Sequence, residues 1–346
     1  MSVTKGVMDG VEAIVSSIAT LLGQSALSYT DLQTADSEYC LVTNDGALVS
    51  IIDISGVIGL VGDDEYKRIH EQLFQALNSA MKDVGHTVNI HFSYNQDQVT
   101  EKIEENYVGA RKTAKKLNLA LEDVLNERVA FMSNYCSAEE VYLTITTNLD
   151  ILTREQQKTA VKDRDAANAE LPAFKSTQSV AIAIPALREL HDSFVKSISA
   201  DMTSAGIANE LINVHKACAA IRNSMDNEFT DTNWSPVLPG DKFMPKVIEK
   251  YPAESESADL ADLSYPNLPM QLMPRDSENL DLRTCKIGNK IFSSVYIDLF
   301  PKDIQPFSIL LGKTIQGGLP WKISFQIKGG GLSSLKFKRA MSSVLA

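Results

Sequence analysis

Short runs in which every second residue is apolar recur along this chain, and they constrain its fold more than any other feature. In 87–92, Val88, Ile90 and Phe92 alternate with Thr87, Asn89 and His91; in 141–146, Val141, Leu143 and Ile145 alternate with Tyr142, Thr144 and Thr146. Ile323, Phe325 and Ile327 repeat the pattern in 321–327. A period of two belongs to a strand with one face on a core and the other wetter, so the chain must build a sheet and cover one side of it.

The covering elements have the helical period. The spacing predicts a helix over 64–84 with Ile69, Leu73, Leu77, Met81 and Val84 as its buried stripe and Gly85 as its stop. Two more follow, with Ile103, Tyr107, Ala110, Ala114 and Leu117 and then Leu121, Val124, Leu125, Val129 and Met132 inward, broken near Asn118. Thr153 and Gln156 form a capping box for a helix to about Leu171. Leu187, Leu190, Phe194 and Ile198 mark another helix. Ile207, Leu211, Val214, Cys218, Ile221 and Met225 mark a longer one, whose alternating spacings of four and three fit a core helix or a self-associating one.

Ahead of these lies a hairpin: 39–43, the turn Asn44-Asp45-Gly46, and 47–54. Strand, strand, helix, strand, two helices, strand is the order of an α/β or α+β domain, a mixed or antiparallel sheet flanked by helices. The expected division is 1–229, an N-terminal helix plus this domain; 230–281, a Pro-rich acidic linker or long loop that its aromatic residues Trp234, Phe243 and Tyr251 lay across a folded surface; and 282–346. That last part holds a second hairpin around Gly288-Asn289, the strand 321–327 and the start of a basic helix. Val7, Val11, Ile14, Ile18 and Leu21 share one face of the N-terminal helix, which packs on its own domain or docks on a partner.

Composition excludes several classes. With 33 Lys and Arg against 44 Asp and Glu, the net charge of −11 does not suit a broad nucleic-acid-coating surface. The four cysteines, Cys40, Cys136, Cys218 and Cys285, stand far apart, as in a reduced cytoplasmic protein. No run of 18 or more apolar residues is present.

Candidate chemistry is sparse. Gly312-Lys313-Thr314 ends like a P-loop, yet Phe307 holds the place of the first glycine and bulky residues fill the loop. Gly329-Gly330-Gly331 reads as the release from a strand, and Gly56, Gly59 and Gly62 lack dinucleotide-site spacing. Among His70, His86, His91, His191 and His215 there is no metal-ligand spacing, and His86 and His91 face opposite sides of their strand. His191 and His215 read as packing or surface residues. His91 beside Asn89 on the wetter face, or Lys313, would serve an independent enzyme or nucleotide-binding protein. No catalytic, cofactor-binding or metal-ligating residue is assigned.

The hairpin Tyr39-Cys40-Leu41-Val42-Thr43-Asn44-Asp45-Gly46-Ala47-Leu48 with its continuation to Gly56, the strand ending His91-Phe92-Ser93, and Gly318-Leu319-Pro320-Trp321-Lys322-Ile323-Ser324-Phe325 carry a resemblance. In this order they resemble the N-terminal portion of the large type IV secretion and conjugation ATPases, most closely those of the Dot/Icm type IVB system. The resemblance covers essentially the whole chain. It implies a non-catalytic docking and oligomerisation region that precedes a RecA-like motor, with the nucleotide motifs, ATP and Mg2+ belonging to the parent beyond residue 346. It also implies assembly with other copies into a hexamer, and peripheral attachment at the cytoplasmic face of the inner membrane through secretion-system components, partner ATPases included. Specific nucleic-acid binding is not implied. A passive scaffold outside any ATPase system is the remaining alternative.

Overall fold

The computed structural model describes residues 30–57, 59, 61–82, 84–94, 99–136, 138–169, 178–179, 182–226, 231, 233–241, 265–273, 275, 277–281, 284–293 and 320–330. Within them the alternating segments become β4 (His86–Tyr94), β5 (Glu139–Thr147) and β10 (Trp321–Lys328). They join β1 (Leu32–Ser37), β2 (Cys40–Thr43), β3 (Leu48–Val57) and β6 (Ile207–Leu211) in one seven-stranded sheet of order β1-β2-β3-β5-β4-β10, with β6 paired to β3. Every pairing is antiparallel.

Register places apolar residues opposite apolar residues. Val88, Ile90 and Phe92 lie across from Ile145, Leu143 and Val141 on one side, and from Ile327, Phe325 and Ile323 on the other. The shared face therefore needs a cover, and α1 (Asp63–Ala80) and α5 (Arg188–Ser204) supply it. Leu73 and Leu77 of α1, with Phe194, Val195, Ile198 and Met202 of α5, pack on Ile52, Val88, Leu143 and Ile145. Farther along that face, Cys40, Val42 and Leu48 meet Leu152, Ile184, Leu187 and Ala160 of α4 (Arg154–Ala169). The reciprocal bonds of the capping box form at the start of α4, Thr153 N–H donating to Gln156 Oε1 at 3.0 Å and Gln156 N–H to Thr153 Oγ1 at 3.4 Å.

Among the described residues, the apolar cover of the opposite face lies toward β1, β2 and β3. There α6 (Val214–Met225) and the short α7 (Leu268–Leu272) seal Leu41, Val49 and Ile51. Leu238, Leu268 and Leu272 come from the Pro-rich stretch 230–281, and their exposures of 1%, 0% and 0% place these three side chains in the core. A smaller antiparallel sheet, β7 (Ser277–Asn279), β8 (Thr284–Ile287) and β9 (Lys290–Ser293), contains the second hairpin.

Several expectations need correction. The single helix read over Ile207 to Met225 is a strand and a helix. Gly206 at φ 86° turns the chain out of α5, and β6 then pairs with β3 from Ile52 to Val57. Asn213 starts α6, its side chain accepting from Lys216 N–H at 2.9 Å. β1 was not expected. Helix α1 stops at Ala80 rather than near Val84, which is 52% exposed. In α5, His191 is buried while Leu190 faces outward.

The two helices on either side of Asn118, α2 (Val99–Lys116) and α3 (Glu122–Met132), also depart from expectation. Ile103, Ala114, Leu125 and Val129 are buried, but Leu117, Leu121, Val124 and Met132 are exposed. Residues 7–22, the acidic cluster in 249–262, Phe243, Tyr251, Gly312, Lys313, Thr314, Gly331 and the basic helix after Leu332 lie outside the described residues. No helix among the described residues is long and apolar enough to cross a membrane.

Candidate functional site

Strand register gathers chemistry on the face of the sheet opposite α1 and α5. One row runs Glu210, Asp53, Tyr142, His91, Ser324 across β6, β3, β5, β4 and β10. The next runs Glu140, Ser93, Lys322. Alternation puts these side chains on the face opposite Val88 and Ile90, so His91 stands on the wetter face as its pattern requires. Its Nδ1 lies 2.7 Å from the hydroxyl of exposed Ser324, a residue 233 positions later in the chain.

Electrostatics in these rows follow from partial burial. Burial pulls the His91 imidazole below its usual range and favours the neutral ring. Asp53 is raised by burial and then by the charges of Glu140 and Glu210, and Tyr142 is raised by burial, then by Glu140 and Asp53. Lys102 of α2 offsets part of this acidity, its Nζ donating to Glu140 Oε1 at 2.6 Å. Lys322 is lowered by burial and donates to the Ser224 carbonyl at the end of α6. A neutral imidazole against an exposed hydroxyl is a base beside a nucleophile.

A second polar cluster is sealed under α5. His191 Nε2 lies 2.9 Å from Ser50 Oγ, and Ser50 donates to the Tyr39 carbonyl at 2.7 Å. With that hydroxyl proton committed, Ser50 accepts from His191 Nε2–H. His191 Nδ1 then accepts from Thr147 Oγ1 at 2.8 Å, and Thr147 accepts from His86 Nδ1–H at 3.0 Å. This arrangement satisfies the chain with His191 neutral, the form that its burial favours. Burial, reinforced by the neighbouring His86 and opposed by Asp36, pushes that imidazole down to about 4. His86 also stacks on Phe194 with ring centroids 3.8 Å apart. Ser50, Thr147 and His191 are at most 4% exposed, so this Ser–His contact fixes helix to sheet and does not meet substrate.

The remaining candidates have structural duties. Gly329 N–H donates to the His86 carbonyl and Gly330 N–H to the Met81 carbonyl, docking the end of β10. A Cβ on Gly330 would lie 2.3 Å from Val84 Cγ2. His215 sits 3.0 Å from Asp241 Oδ2. Burial raises the Cys40 and Cys218 thiols to about 12, which makes them poor nucleophiles. Among the described residues no group of three or more His, Cys, Asp or Glu could hold a metal ion.

Sequence reasoning missed the exposed apolar surface of α2 and α3. These helices share a narrow core of Val99, Ile103, Val129 and Ala138. Val124 and Phe131 of α3 and Tyr135 in the turn that follows it are 54%, 63% and 77% exposed. Phe131 and Tyr135 touch, with ring centroids 4.9 Å apart. The signal available in sequence was an apolar set of Leu121, Val124, Leu125, Val129, Phe131 and Met132, which spreads over more of the helix than one buried stripe. Comparison with known protein families and with characterised proteins found no match to this chain.

Proposed function

We propose that this chain is the N-terminal docking and assembly region of a type IVB secretion ATPase of the DotO type, working beside the motor and not performing hydrolysis itself. The observation that supports this reading best is the α2–α3 arm. It carries Val124, Phe131 and Tyr135 in contact with solvent, and large apolar side chains clustered on one surface are the mark of a partner site. Such a surface suits other copies of the chain or neighbouring secretion components. ATP and Mg2+ would belong to the motor that follows.

The test is association. Phe131→Ser combined with Tyr135→Ser in the full-length protein is expected to lower recovery with the inner-membrane secretion complex about tenfold, the effect of losing roughly 1.4 kcal/mol of binding. Deleting residues 1–27 is expected to weaken the same association without unfolding the rest. Unchanged recovery in both variants would refute the docking role. Sequence beyond Ala346 is expected to hold a strand followed by a complete P-loop.

One observation favours a second reading, an independent enzyme or nucleotide-binding protein: the neutral His91 imidazole 2.7 Å from exposed Ser324. Equilibrium ATP binding separates the two. Saturable binding by residues 1–346, abolished by Lys313→Ala or His91→Ala without unfolding, would favour the second; no binding up to millimolar nucleotide is expected.

A further inference from the structure

The turn between α2 and α3 differs from the rest of the arm. Asn118 adopts the left-handed region at φ 54°, Leu119 N–H returns to the Ala114 carbonyl at 2.9 Å, and Asn118 N–H to the Lys115 carbonyl at 3.3 Å. Those two bonds make a Schellman motif, which ends the helix with its last carbonyls occupied. The turn is therefore a fixed shape whose backbone is already hydrogen-bonded.

Three leucines stand on it. Leu117, Leu119 and Leu121 are 61%, 51% and 41% exposed. Around them Lys112, Lys115 and Lys116 are exposed, and among the described residues none of the three has an ion-pair partner. The other cations of α2 are neutralised internally. Arg111 is held by Glu104 and Glu122, and Lys102 by Glu140. One acid at the turn, Asp123, has no such partner, so the local balance remains cationic.

The turn is also remote along its helix from the contact with the sheet. At 1.5 Å of rise per residue, Lys116 lies about 20 Å along the helix from Lys102, the residue that ties α2 to β5. The chain carries a net charge of −11, but at physiological salt charges more than about 8 Å from a surface are screened, and the turn's own lysines decide the contact.

We infer that this turn is a membrane-surface probe: Leu117, Leu119 and Leu121 enter the headgroup region of a bilayer while Lys112, Lys115 and Lys116 pair with anionic lipid. Three exposed side chains alone are too small for a stable protein interface, which needs on the order of 1,000 Å². A fluid interface closes around them, and lysines flanking apolar residues are what an anionic leaflet attracts. The inference is independent of the secretion-ATPase reading and concerns a different part of the arm from Phe131 and Tyr135.

The experiment is co-sedimentation of the whole chain with vesicles of phosphatidylcholine alone or mixed with phosphatidylglycerol, at low and high salt. The wild-type chain is expected to sediment with the anionic vesicles at low salt and to leave them at high salt. Two triple variants, Leu117→Ser/Leu119→Ser/Leu121→Ser and Lys112→Gln/Lys115→Gln/Lys116→Gln, are each expected to partition about tenfold less or weaker still. Their thermal unfolding should stay unchanged, because all six side chains are exposed. Equal sedimentation of variants and wild type, no preference for anionic vesicles, or no sedimentation at all would overturn the proposal. So would a wild type that ignores vesicles while the leucine variant loses self-association, a result that assigns the turn to protein.

Discussion

His191 is the residue whose chemistry the fold constrains most. Burial among partners from β3, β5 and β4 favours its neutral form, and its folded pKa of about 4 lies below the value near 6.5 of an unfolded chain. Between these values the unfolded state binds the additional proton, so stability is full above about pH 6.5 and falls as the pH drops toward 4. The loss is about 1.4 kcal/mol per pH unit within that window. Urea titrations at a series of pH values should show this slope. His191→Leu should show a shallower one while being less stable at neutral pH. Thr147→Val tests the same chain of bonds from its centre; leaving both imidazoles short of a partner should cost about 2–4 kcal/mol. None of this was legible in sequence, because the partners of His191 lie 141 and 44 positions away and only the sheet brings them together. The wetter face of His91 was legible, since period-two alternation assigns faces without knowledge of the neighbours.

At the scale of elements, the sequence is readable where one period holds and misleading where two coincide. Ile207 and Leu211 are four apart, a spacing that repeats on a strand as well as on a helix, so the pattern passed unbroken from β6 into α6. Gly206 and Asn213 were the punctuation that separates them. Asn213→Ala removes the acceptor for Lys216 N–H and should cost about 1 kcal/mol, read as a lower urea midpoint with an unchanged slope. Gly85 is the stricter case. It sits at φ 113°, and a Cβ there would lie 2.4 Å from Ile151 N, so Gly85→Ala should cost more than the ~1–2 kcal/mol of a left-handed backbone alone. The apolar stripes of α2 and α3 held at Ile103, Ala114, Leu125 and Val129 and not at Leu117, Leu121, Val124 and Met132, because periodicity reports which residues share a side, and whether that side is covered depends on what the rest of the chain places against it.

For the whole molecule, the informative residues are those that arrive from far along the chain. Leu238 and Leu272 come from a stretch without apolar period, yet they complete the core beneath β2 and β3. Leu272→Ala should destabilise the entire sheet by about 2–5 kcal/mol in one cooperative transition, whereas a mere tether would register under about 0.5 kcal/mol. Proline-rich composition concealed this, because tertiary burial of a few leucines needs no repeating pattern.

β10 has the longest reach of all. Ribosomes add about 5–20 residues per second, so β4 waits on the order of 10–50 s for Ser324 to follow His91 out of the exit tunnel. Throughout that interval the nascent polypeptide presents a bare, pairing-competent margin to every other translating copy nearby. A chain terminated anywhere before Trp321 lacks β10 and leaves that margin of β4 without its partner strand.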